Sequence, residues 1–164
     1  MFQNCTALTT PPELPATVIG QVCYREMFKG CTSLTTAPSL PATTLAWMEY
    51  YSMFQNCTSL TTAPELPATT LGWYCYQYMF SGCTSLTEAP ELPATTLPTS
   101  CYKEMFNGCS SLNSIKIGYT GNFSTTYFNN WVSNVASTGT FYYNGSDTTR
   151  GTSAIPEGWT IQTF

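Results

Sequence analysis

The string Met-Phe-x-(Asn/Gly)-Cys-(Thr/Ser)-x-Leu begins at Met1, Met27, Met53, Met79 and Met105, 26 residues apart each time. A fixed period of this length is the mark of a solenoid. Each repeat is one turn of a superhelix and buries its apolar side only by stacking on its neighbours. The period therefore predicts one elongated unit with a ladder-like core. It also favours a recognition surface over an enclosed reaction chamber.

The third repeat, Met53 to Tyr78, shows how a turn is built. Asn56 shares its rung with Asn4, Gly30, Gly82 and Gly108, the residue types that accept a left-handed backbone, so the rung is predicted to cap a helix. Leu60, Ala63 and Leu66 are the inward candidates of the following segment, where Pro64 and Pro67 permit only a short or irregular strand. In the last repeat the same phase reads Leu112-Asn-Ser-Ile-Lys-Ile117, a β-branched alternation that supports extended structure. Thr69 or Thr70 can serve as the N-cap of a helix over residues 71–80. In that stretch Leu71, Cys75 and Met79 lie four apart, as do Gly72, Tyr76 and Phe80, and together they predict one buried face. Stacked rungs of Tyr24, Tyr50, Tyr76 and Tyr102, and of Phe from Phe2 to Phe106, complete the expected core.

The pattern at Met105 to Ile117, Met-Phe-x-Gly-Cys-x-x-Leu-x-x-Ile-x-Ile, resembles the BspA-like, or Treponema-type, leucine-rich repeat. The other repeats look like a longer, 26-residue variant with Leu-Thr-Thr-Ala-Pro-x-Leu-Pro-Ala-Thr-Thr-Leu in the strand-to-helix segment. The resemblance covers residues 1 to about 118. It implies an α/β solenoid, a right-handed leucine-rich-repeat superhelix with one short strand and one short helix per turn. It also implies adhesion to host proteins, mucosal surfaces or other bacteria, on bacterial or parasite surfaces. The family shares a scaffold and not a site, so no binding residue carries over.

From Gly118 the period is read as ending, so residues 1–118 form the solenoid and 119–164 a C-terminal α+β cap of the same compact unit. Phe123, Tyr127, Phe128, Trp131, Val132 and Val135 stand at helical spacing. Strands are expected over 138–143 and 158–164, with a turn at Asn144-Gly145. The segment Thr152-Ser-Ala-Ile-Pro-Glu-Gly-Trp-Thr160 is similar to the ends of repeat proteins of gut bacteria and their phages. No comparable cap precedes Met1. Either the chain is cut from a longer protein, or its uncapped N-terminal end is a stacking surface for a homo-oligomer.

Charged residues are only 9% of the chain, and the net charge is -4. Five basic residues cannot line a phosphate backbone, which argues against nucleic acid. No apolar run approaches the ~18 residues of a membrane span, and no signal peptide is expected ahead of the first repeat. The Thr-rich, acidic surface points to an extracellular, cell-surface or virion setting.

Eight cysteines fall on two rungs. The pairs Cys23–Cys31, Cys75–Cys83 and Cys101–Cys109 have the same spacing and could be bridged, but Cys57 would face Glu49 and Cys5 would face nothing. The alternative is that all eight are small core residues, with Cys57 kept in place without a partner. Histidine is absent, as is any Cys-x-x-Cys, so a zinc site is not expected.

Lack of histidine also removes the usual base for a Ser or Cys nucleophile. Glu13, Glu65 and Glu91 share a rung, and paired carboxylates can hydrolyse glycosides. A solvated acidic strip is the simpler reading. Calcium needs about six oxygens and is poorly supported there. The chain is read as a non-enzyme without a cofactor or metal.

The residues that vary are more telling than the ladders. Trp47 with Tyr51, and Tyr74 with Tyr78, form i,i+4 pairs on the outward face, and Trp73 adjoins them. Stacked together they would make an aromatic patch suited to a protein or glycan; lateral packing between neighbouring turns is the competing arrangement. The opposite surface, lined by Thr9, Thr35, Thr61, Thr87 and Asn113, is small and polar. The expected function is a non-catalytic adhesion or receptor-binding module for a cell-surface protein or glycan. The alternative is a structural virion or cell-envelope component with homo-oligomeric contacts.

Overall fold

A computed structural model describes residues 2–164, so the expected repeat start at Met1 lies outside the described residues. The 26-residue step recurs as physical contact. Phe2, Phe28, Phe54, Phe80 and Phe106 form a stack with ring centroids 5.6–5.8 Å apart. Beside it, Tyr24, Tyr50, Tyr76 and Tyr102 stack at 6.0–6.1 Å. Rings from Phe28 to Phe106 are fully buried, as are Leu34, Leu60, Leu86 and Leu112. One continuous core follows the stack from turn to turn, and no turn could bury its share of it alone.

The outward side of each turn is not helical. Among the described residues the only α-helix is α1, Thr125–Phe128. The left-handed residues recur every four positions instead: Val22, Glu26 and Gly30; Met48, Ser52 and Asn56; Tyr74, Tyr78 and Gly82; Ser100, Glu104 and Gly108. Between them run tight turns whose amides donate three residues back, as from Met79 N–H to Tyr76 O at 3.1 Å. The remaining amides point along the axis to the next turn. Phe28 N–H meets Met53 O at 2.9 Å, Phe54 N–H meets Met79 O at 2.9 Å, and Phe80 N–H meets Met105 O at 3.0 Å. Amides used between turns are unavailable for an i→i−4 helix. The four-residue spacing that predicted a helix is thus the period of these turns, and it brings Cys75, Tyr76, Met79 and Phe80 inward as a helix would.

This arrangement corrects the expected helix per turn, and with it the N-cap role of Thr69 and Thr70. Thr69 N–H donates to Thr43 O, and Thr70 forms a parallel bridge with Thr44. The Asn/Gly rung is left-handed as expected, with φ of 60° to 79° from Asn4 to Gly108, but it closes a run of turns and caps no helix. Strands are likewise reduced. In the proline-bearing turns only single bridges form, such as Thr36 with Thr62. The proline-free Ser114–Lys116 becomes a strand, β1.

The register continues past Gly118, where the sequence reading ended it. β1 pairs in parallel with β2, Thr140–Tyr142, and Ile115 faces Phe141. Glu104, Phe106 and Gly108 donate to the carbonyls of Asn129, Trp131 and Ser133, and Asn134 repeats the left-handed rung at φ 58°. A sixth turn therefore exists with Trp131 and Val132 in place of Met and Phe. The helix expected across 123–135 is confined to α1, which starts at the Ser124 N-cap. β2 then pairs with β3, Thr160–Gln162, at a shorter step, Phe141 facing Ile161.

The final segment closes this end. Ser153 Oγ accepts from Asn130 N–H at 3.0 Å, and Thr152 O accepts from Val132 N–H at 3.1 Å. Those two amides have no further turn to reach. Trp131 Nε1 donates to Ala154 O at 2.7 Å, and Trp159 Nε1 to Ala136 O at 2.7 Å, so both buried indoles are satisfied.

Removing one ring from the stack should be costly. Phe80→Ala is expected to lose about 3–5 kcal/mol, while Phe2→Ala, at a half-buried position, should lose clearly less. Urea unfolding followed by fluorescence measures both.

Candidate binding surface

Trp47 and Trp73 occupy the same rung on adjacent turns and remain 42% and 61% exposed. Their backbones are fixed by the axial ladder, since Val22 N–H donates to Trp47 O and Met48 N–H to Trp73 O, each at 3.0 Å. Two indoles are thus held side by side on consecutive turns.

Their tyrosine neighbours behave differently. Tyr51 and Tyr78 meet edge to face at 5.7 Å and 80°, and both are half-buried, as is Tyr74. The Arg25 guanidinium lies 5.2 Å from the Tyr51 ring centroid, and the Tyr78 hydroxyl donates to Glu104 Oε1 at 3.2 Å. Lateral packing between turns therefore engages Tyr51 and Tyr78 and leaves the two indoles outside it. Ser52 and Gln77, which adjoin these tyrosines in the chain, are buried. The Arg25–Tyr51 contact was open to sequence reasoning, because the two residues share a rung.

Thr9, Thr35, Thr61, Thr87 and Asn113 are all exposed on the opposite surface. Thr61 Oγ1 donates to Thr35 O at 3.2 Å, so part of this polar ladder is occupied by its own neighbours. At the bend, Pro64, Pro67, Pro90 and Pro93 line a shallow groove of about 540 Å³ with Glu65 and Glu91 at its rim. Glu91 is paired with Lys116 at 3.1 Å, which leaves the two carboxylates in different surroundings. Glu13 is exposed on the first turn.

All eight cysteines are free thiols, and none of the pairs Cys23–Cys31, Cys75–Cys83 or Cys101–Cys109 is bridged. One rung has a hydrogen-bonding role that accounts for its constancy. Cys31, Cys57, Cys83 and Cys109 donate through Sγ to the carbonyls of Phe2, Phe28, Phe54 and Phe80 at 3.0–3.1 Å. Each thiol thus ties a turn to the one before it, which a disulfide to the second rung would prevent. Burial pushes Cys57, Cys101 and Cys109 up to about 12, and Cys75 and Cys83 well above the ordinary thiol value. These sulfurs are poor nucleophiles. Among the described residues no group of three or more Cys, Asp or Glu side chains could hold a metal.

The BspA type leucine-rich repeat region matches residues 1–134 in six copies. The chain belongs to this family. The sixth copy agrees with the extra turn seen through Trp131 and Asn134. No curated protein and no solved structure matches the chain. BspA-type repeats are typically protein-interaction modules, generally non-enzymatic and usually surface-associated. No described helix is long and apolar enough to cross a membrane.

Thiol labelling should follow burial. In the native state Cys5 and, more slowly, Cys23 should react, while Cys57, Cys75, Cys83, Cys101 and Cys109 should need denaturant. Mass spectrometry after alkylation, with and without a reductant, reads this directly, and prior reduction should add no further labelled sites.

Proposed function

We propose that this BspA-type repeat protein is a non-catalytic adhesion or receptor-binding module, and that it engages a cell-surface protein or glycan through Trp47 and Trp73. The observation that carries the reading is the pair of exposed indoles on consecutive turns, where Gln21 and Thr99 stand on the turns to either side. Trp is the residue type most enriched at binding hot spots, and a rigid frame lowers the entropy lost on docking. Indole faces also suit the apolar faces of sugar rings. Tyr74 extends the surface, and Tyr51 and Tyr78 brace it from beside. An extracellular, cell-surface or virion setting suits such a role.

Flow cytometry of the labelled protein on gut bacteria, epithelial cells and mucin-coated beads tests the reading. Binding to at least one of these is expected, and Trp47→Ala/Trp73→Ala should reduce it at least tenfold with unchanged thermal stability. A double variant that binds like the parent would rule out this surface. A variant whose binding is unaltered but whose oligomeric state shifts would instead favour the structural, envelope-component role.

A further inference from the structure

Among the described residues Glu49 is the one acidic side chain in the core. It is 0% exposed, and neither carboxylate oxygen has a hydrogen-bond partner. It occupies the rung position held by Cys23 on the turn before and Cys75 on the turn after. The adjacent Tyr50 hydroxyl is also buried without a partner. Burial away from any partner disfavours the ionised carboxylate, so the neutral acid is the form that this place in the core favours.

The backbone records the misfit. On the later turns this column is closed, with Tyr76 N–H to Cys101 O at 3.1 Å and Tyr102 N–H to Tyr127 O at 3.2 Å. On the turns around Glu49 it is open. Among the described residues, Tyr24 N–H reaches no carbonyl on the Glu49 turn, and Tyr50 N–H reaches none on the Cys75 turn. Tyr51 N–H folds back onto Glu49 O instead. Tyr24 and Tyr50 have φ of 58° and 26°, left-handed values that their counterparts Tyr76 and Tyr102 do not share.

We propose that Glu49 is a proton-operated latch on the turns that carry Trp47 and Tyr51. As the neutral acid it packs in the cysteine rung. When its proton passes to solvent, the carboxylate leaves the core and the turns, each already missing one axial bond at Tyr24 or Tyr50, loosen. The groups that face it add no compensating cation. Cys75 and Tyr50 sense its charge, Cys23 shares its rung, and Tyr24 and Tyr76 flank Tyr50. The ion pairs among the described residues lie elsewhere, at Lys29–Glu26 and Lys116–Glu91. Desolvation raises the Glu49 pKa, with a smaller opposing contribution from the Ala46 backbone.

The sign follows from linkage. Below the ordinary glutamate value the group is neutral whether the chain is folded or unfolded, and its contribution is fully present. That stability is lost as pH rises through the raised folded value. Asp147 acts in the opposite direction. The Thr149 hydroxyl, the Thr149 amide and the Phe123 amide hold its pKa down, so its stabilisation is lost only as pH falls.

The test is the pH dependence of unfolding and of amide exchange, in the parent chain, in Glu49→Gln and in Glu49→Cys, which restores the rung. As pH rises above the ordinary glutamate value, the parent's unfolding constant should increase relative to both variants, by no more than about tenfold per pH unit. Protection of Tyr51 and Ser52, corrected for intrinsic exchange, should fall over the same range in the parent alone. Equal pH slopes in parent and variants would overturn the latch, as would pH-independent protection at Tyr51 and Ser52. Neither readout involves a ligand, so the result stands apart from whether the tryptophans bind one.

Discussion

Adjacent turns are held in register by identical rings at a spacing of 5.6–6.1 Å, and every other feature of the molecule depends on that stack. The outward turns show why. A left-handed conformation costs a non-glycine residue about 1–2 kcal/mol, and an axial hydrogen bond returns about 0.5–1.5 kcal/mol. At Val22, Met48, Tyr74 and Ser100 the two nearly cancel, so the turn column has little stability of its own. Burial of a Phe or Leu contributes about 1.5–3 kcal/mol and decides the balance. The core imposes the register, and the backbone adopts the conformation that the register permits.

The axial bonds also have a direction. Amides in these columns point toward the C-terminal end, from Asn4 N–H to Lys29 O and on to Gly108 N–H to Ser133 O. A one-way ladder must end in unpaired donors, as an α-helix does at its N-terminus. The segment around Thr152 and Ser153 supplies acceptors at that end, while the two indole bonds anchor it. The cap is therefore read better as a complement to a polar end than as a hydrophobic lid alone.

Much of this was legible in the sequence, though unevenly. The period, the ring ladders, the inward leucines and the left-handed Asn/Gly rung all follow from side-chain identity at fixed spacing. The helix did not, because Leu71, Cys75 and Met79 at four-residue spacing fit a 3.6-residue helix and a four-residue chain of turns equally well. Before the sixth turn, only one of the left-handed rungs carries Asn or Gly. The others hold Val22, Met48, Tyr74 and Ser100, or Glu26, Ser52, Tyr78 and Glu104, which give no local sign. The sixth turn was hidden for a related reason. Trp131 and Val132 keep the burial of Met105 and Phe106, and Asn134 the left-handed backbone of Gly108, while each residue changes. The exposed positions of Trp47 and Trp73 were readable, but which aromatics would pack sideways depended on contacts between turns.

A frame built by repetition makes its exceptions conspicuous. A substitution on the outer rungs leaves the ladder intact, so Trp47 and Trp73 can differ from Gln21 and Thr99 without structural consequence, and such positions are free to carry recognition. A substitution on an inner rung is transmitted to both neighbours. Glu49 replaces a thiol with a longer, ionisable group, and the missing axial bonds appear on the turns at either side of it. The disturbed column lies two residues from Trp47, in the part of the solenoid where the exposed aromatics gather. Glu49 thus places one ionisable group on a rung that its neighbours fill with cysteine.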